Sequence, residues 1–305
     1  MSLYSDKQFL KVQIIETERL FQMVKNHPLM SITYEQRLKQ LKEELDNLPE
    51  EVLEPKIHLL FSGDAVKGGE GVKATFIGKV MPPFEEMVKI QVATVRFGLL
   101  PKKGKRKRAT KTELFLTALP TGSFGVELKQ LQFDTLFDAQ EVATGMKQVI
   151  NIVAQTAKDD NSFEATIENT PKKNLHNLKK FLEEINEEKS ILKMECGELG
   201  IELSTKDVAD AYLRVSEVVN NEEDEFINGI FRGLLLDSAK FEFQDEQGRK
   251  HLGNIGQNLS EDELIGYDKM FLNQQCKIHV KKNRIKFKTG NEKVVYELLE
   301  ITNIN

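Results

Sequence analysis

The stretch Asn220-Asn221-Glu222-Glu223-Asp224-Glu225-Phe226-Ile227-Asn228-Gly229-Ile230-Phe231 decides how the chain is read. Before it, apolar residues recur mostly at helical spacings of three and four. After it, they recur every second residue. Its first six residues are polar or acidic and suit a turn-rich linker. A domain boundary is therefore expected here, with residues 226–305 forming a small β-barrel.

Downstream, period-two runs are expected at 229–235, 239–244, 249–253, 276–281, 284–288 and 294–301, with one helix over 260–270. Ser260-Glu261-Asp262-Glu263 is a capping box for that helix. Strands, one helix, then strands is the layout of an OB-like or SH3-like barrel. The apolar phase moves from Ile278 and Val280 to Ile285 and Phe287, which demands a bulge or turn at Lys281-Lys282-Asn283-Arg284.

Upstream, residues 51–219 read as an antiparallel α+β module. Strands are expected at 56–61, 91–98, 113–118 and 126–131, the last three forming a meander. Helices are expected from Asp138, from Thr170-Pro171 and from Thr205, with a hairpin at 191–204. Pro82-Pro83 interrupts the segment between the first two strands. Residues 1–50 read as a helical hairpin, opened by a capping box at Ser5-Asp6-Lys7-Gln8 and stopped by Pro49. Leu38, Leu41, Leu45 and Leu48 form one seam, suited to internal packing or to a short dimerising coiled coil. The fold class is α+β.

Composition excludes several classes. The 305 residues are 40% hydrophobic and 30% charged, a globular balance. Cys196 and Cys276 are the only cysteines and stand far apart, so buried free thiols in a reducing compartment are expected. No apolar run nears the roughly 18 residues of a membrane span, and the N-terminus lacks the pattern of a signal peptide. A cytoplasmic protein is expected. The net charge of −5 disfavours nucleic acid for the molecule as a whole, so any such contact needs a local basic patch.

Phe61-Ser62-Gly63-Asp64-Ala65-Val66, with Gly71 and Phe76, and Thr121-Gly122-Ser123-Phe124-Gly125-Val126-Glu127-Leu128 carry a resemblance. Over roughly the first half, the chain resembles a family of uncharacterised bacterial proteins associated with mobile or defence loci. The resemblance implies antiviral defence as a setting; it supplies no activity and no functional residue.

The chemistry-bearing motifs are few. The glycine loop 63–71 follows a strand, where phosphate cradles sit. It lacks the Lys and Ser/Thr of a P-loop, so its glycines are read as turn formers. The five histidines and two cysteines have no metal spacing, and no nucleophile elbow is present. No cofactor is expected. Asp159-Asp160 and Glu222-Glu223 read as solvated acids in loops.

Two basic stretches stand out. Lys102, Lys103, Lys105, Arg106, Lys107, Arg108 and Lys111 form an acid-free run suited equally to sequence-independent phosphate contact and to a solvated tip that keeps a sheet edge soluble, with a nuclear-import peptide as a further reading. That loop is expected to be exposed and poorly ordered. Lys281, Lys282 and Arg284 belong to a second run, 277–288, with Phe287 and Tyr296 as candidate stacking groups. For Phe287 and Phe241 the opposing reading is the barrel core.

The expectation is a non-catalytic binding or adaptor protein that contacts nucleic acid through the basic loop. The N-terminal helices are the surface for a protein partner or self-association. The alternative is a nuclease or nucleotide-processing effector with a dispersed carboxylate site. A buried group of carboxylates with a lysine in a cleft would favour the enzyme.

Overall fold

The structure is a computed structural model that describes residues 3–51, 53–68, 70–98, 112–118, 124–133, 136–167, 170–220, 222–236, 238–256, 258–286 and 292–304. Helices α1 (Leu3–Met23) and α2 (Met30–Asp46) form the expected hairpin. Leu38 and Leu41 of the seam are buried, and no residue of α1 is. Helix α1 starts before Ser5, so the Ser5 hydroxyl lies inside the first turn and not at the cap. The base of α1 rests on the body: the Tyr4 amide donates to the Gly197 carbonyl at 2.8 Å.

The body follows as β1 (Lys56–Ser62), a short β2 (Val66–Lys67) and β3 (Gly71–Val72) pair, α3 (Ala74–Phe97), β4 (Phe115–Ala118) and β5 (Phe124–Lys129). Then come α4 (Leu136–Lys158), α5 (Asp160–Ile167), α6 (Lys172–Glu187), β6 (Ile191–Cys196), β7 (Leu199–Leu203) and α7 (Thr205–Asn220). Five strands make an antiparallel sheet in the order β4-β5-β1-β6-β7. Ile57, Leu59 and Phe61 of β1 enter the core beneath the helices, and His58 faces the other way. Gly145 lets α4 close on α3, since a Cβ there would lie 2.7 Å from a Val92 methyl.

Residues 91–97 are helix, not the expected strand. Val92, Thr94 and Val95 favour a strand locally. Yet Phe84, Met87, Val88, Gln91 and Val92 continue one buried helical stripe, and burial overrides local preference. Pro82 and Pro83 sit inside α3 without ending it. Among the described residues the meander therefore has only β4 and β5, with β1 beside β5. Asp159-Asp160 is the start of a helix: Asp159 accepts the Ser162 amide at 2.7 Å, and Asp160 pairs with Arg214 at 2.6 Å.

The C-terminal part is the expected barrel. It comprises β8 (Glu222–Leu235), β9 (Lys240–Asp245), β10 (Lys250–Ile255), α8 (Glu261–Phe271), β11 (Gln275–Lys286) and β12 (Glu292–Thr302), closed in the order β10-β12-β11-β8-β9. The helix lies between the third and fourth strands, and the third pairs parallel with the fifth. This is the five-stranded OB-type arrangement. Phe231, Phe241, Phe243, Ile278 and Val280 fill it, and the Ser260–Glu263 capping box is present. Both cysteines are free and buried.

The acidic segment expected as a linker is the first quarter of β8. Glu222 to Glu225 pair with Asn283 to Val280 of β11. β11 is one continuous strand, and its register against β12 shifts between His279 and Val280, just ahead of the segment expected to hold the break. The barrel touches the body: Val295 packs on the body core, and Lys172 pairs with Glu297 at 2.8 Å. No helix among the described residues is long and apolar enough to cross a membrane.

Candidate binding site on the barrel

The turn joining β9 to β10 is organised by one carboxylate. Asp245 accepts the amides of Gln247 at 3.0 Å and Arg249 at 2.8 Å, the Arg249 guanidinium at 2.8 Å and His251 Nε2 at 2.9 Å. Its side chain is only 3% exposed. Desolvation works to raise the Asp245 pKa. The donors from His251 and Arg249 outweigh it and hold the carboxyl well below the usual range.

This fixes His251 at the wall of an open polar cleft of about 440 Å³. The His251 ring meets the Tyr296 ring edge-on at 5.2 Å. Lys282 Nζ lies 5.9 Å from the Tyr296 centroid and 2.9 Å from Glu225. Arg249 and Lys250 stand at the same cleft.

Phe226 also lines the cleft and is 59% exposed. It faces His279 across the β8–β11 ladder, and the two rings stack at 4.4 Å with 15° between their planes. Lys277 Nζ sits 4.7 Å from the Phe226 centroid, a cation–π contact. His279 in turn lies 3.4 Å from Asp224. Aromatic rings and cations thus lie in contact with one another at and beside the cleft.

The structure separates the residues expected in the second basic stretch. Lys282 enters the cleft, and Lys281 does not line it, because neighbours on a strand face opposite ways. Arg284 lies further along β11 and is exposed. The stretch is not acid-free in space: Lys281 faces Asp224 and Lys282 faces Glu223 in the ladder. Tyr296 lines the cleft, Phe241 belongs to the core, and Phe287 lies outside the described residues. So do Lys102, Lys103, Lys105, Arg106, Lys107, Arg108 and Lys111. Phe226, Asp245, Arg249 and His251 were not foreseen. The only signal for them was the turn Asp245-Glu246-Gln247-Gly248 beside a lone histidine.

A second polar group crosses the outward face of the body sheet. His58 stands opposite Glu127 on one neighbouring strand and Glu195 on the other. Nε2 is 2.8 Å from Glu127, which also accepts the Thr117 hydroxyl at 2.6 Å. Nδ1 is 3.8 Å from Glu195, which pairs with Lys193 at 2.8 Å. The Glu195 carboxylate, and after it that of Glu127, raise the His58 pKa against desolvation. Burial pushes Glu127 up, but Thr117 and His58 bring it below its ordinary value.

The glycine loop is a turn, as expected: Gly63 and Gly68 have φ of +142° and +55°. Among the described residues no group of His, Cys, Asp and Glu has the arrangement of a metal site. Compared with protein-family models, curated proteins and solved structures, the chain matches none.

Proposed function

We propose that the protein is a non-catalytic binding protein whose barrel contacts single-stranded nucleic acid. The observation that carries this reading is the exposed Phe226 ring, stacked on His279 with Lys277 over it, beside a cleft containing Tyr296, Lys282 and Arg249. Stacked rings tolerate any base, and the lysines and arginine neutralise phosphates without reading sequence. Residues 102–111 supply further phosphate contacts in this scheme. The resemblance of residues 61–76 and 121–128 supports a bacterial defence setting.

Anisotropy titrations with single- and double-stranded oligonucleotides at two salt concentrations test it. Binding should favour single strands and weaken steeply with salt. Phe226→Ala should cost about 1–3 kcal/mol, the value of a stacked base. Replacing Lys105, Arg106, Lys107 and Arg108 with Ala should weaken binding about tenfold, or about 1.4 kcal/mol. Absence of binding at low salt ends this reading.

The second reading is an effector enzyme, and one observation favours it: two carboxylates, Glu127 and Glu195, with His58 and Lys193 beside them. Those carboxylates already hold internal cations, which leaves less charge for a substrate or metal. Hydrolysis of an oligonucleotide that Glu195→Gln abolishes would promote this reading over the first.

A further inference from the structure

Helix α1 spans 21 residues with none buried. Its half-buried side, including Leu10, Ile14 and Phe21, lies against α2, and Lys42 of α2 pairs with Glu18 at 3.2 Å. The opposite side is apolar as well. Phe9, Val12, Leu20 and Met23 are all exposed. At about 100° per residue they fall within an arc of about 80°. A single exposed apolar side chain needs no explanation, but a stripe along a whole helix marks a contact surface.

The stripe has a charge at its centre. Glu16 lies in the middle of the same arc and is exposed. A lipid surface or a wholly apolar partner would leave that carboxylate desolvated without a cation. The chain itself carries the cation needed, since Arg19 flanks the stripe one turn on.

We propose that the N-terminal hairpin is a homodimerisation element in which two α1 helices pair antiparallel about a two-fold axis beside Glu16. In this register all four apolar residues of the stripe find an apolar partner. Phe9 meets Met23 of the second copy, and Val12 meets Leu20. Each Glu16 is bracketed by Arg19 of the other copy, on the side where a two-fold axis brings like edges together. The contact engages little more than one helix per copy. Standard interfaces use about 20–30 residues a side, so the dimer is a concentration-dependent one in the micromolar range.

Sedimentation velocity of the full chain across that range should show a monomer–dimer equilibrium. Val12→Glu with Leu20→Glu should leave only monomer at unchanged helicity. Glu16→Arg alone should weaken association at least tenfold, and adding Arg19→Glu should restore it. Glu16→Cys places a thiol beside the axis. Facing Cα atoms of helices about 8–10 Å apart come within disulfide reach there, so oxidation should give a crosslinked dimer. The native thiols do not compete, because burial pushes Cys196 up to about 12 and Cys276 up to about 11. If the double glutamate variant loses helicity, the charge exchange and the Glu16→Cys variant test the same contact without it. A monomer at every concentration overturns the proposal. So does a dimer that persists in the folded double variant, or a Glu16→Cys chain that dimerises but fails to crosslink on oxidation.

Discussion

Two rows of opposite charge cross strands in this molecule, and they differ in burial. On the body sheet His58 sits between Glu127 and Glu195, with the Glu195 side chain 3% exposed. On the barrel, Asp224 and Glu225 of β8 pair with His279 and Lys282 of β11, and the Asp224 side chain is 60% exposed. The pairing is similar and the energetics are not. Charges taken from water depend on their partners, so removing one partner costs several kcal/mol. Charges left in water keep most of their hydration, and such pairs are worth about 0–1 kcal/mol. The buried row therefore makes the body sheet sensitive to the loss of any one partner. The barrel row is solvated mainly on its acidic side, at Asp224, while Lys282 is 14% exposed and held by Glu225.

The largest expected effect follows from the buried row. His58→Ala leaves Glu127 and Glu195 facing each other across an empty position on β1. Lys193 still compensates Glu195, so the loss belongs at the lower end for buried pairs, about 3 kcal/mol in urea unfolding. A loss below about 1 kcal/mol would place this row in the same class as the exposed one.

The next effect is the pH dependence of that difference. The His58 pKa lies above its ordinary 6.5 in the folded chain. Its contribution is fully present below that value and is lost as pH rises through the raised one. The Glu127 pKa lies below its ordinary 4.5, so its contribution is present above that value and is lost as pH falls through the lowered one. The advantage of the native chain over His58→Ala should peak between these limits and shrink on the alkaline side. An advantage that grows with pH would mean the histidine is buried neutral.

The same contrast explains what was legible in the sequence. The barrel was, because alternation over 229–235, 239–244 and 276–281 and the Ser260 capping box are local signals. The charge rows were not, because they exist only across strands. Glu222 to Glu225 read as a solvated linker, and Lys281 to Arg284 read as an acid-free patch. Each reading was reasonable for an isolated segment, and both changed when the two became ladder partners. His58, Glu127 and Glu195 are separated by 69 and 68 positions in sequence, and no motif spacing links them. The misread segment 91–97 has a related cause: its β-branched residues spoke locally, while the helices burying Val92 come from elsewhere.

The smallest expected effect on stability is also the one that sharpens the functional reading. Glu223 and Asp224 face Lys282 and Lys281 in the ladder and lower the positive potential of β11. Glu223→Gln with Asp224→Asn removes both charges and keeps side-chain size. Stability should change by less than about 1 kcal/mol, since these acids are exposed. If the barrel takes up phosphates, the consequence for binding is larger than that for folding. Lys282 keeps its Glu225 partner, but with less negative potential along β8 the cations of β11 release counterions more readily when they meet a phosphate. Affinity for a single-stranded oligonucleotide at low salt should rise several-fold, and the salt slope should steepen by about 1 for each phosphate gained. The two readouts are independent, because urea unfolding reports the pair and the titration reports the surface. Unchanged stability with unchanged affinity would remove β11 from the phosphate path and leave the cleft of Phe226, His251 and Tyr296 to act by stacking alone.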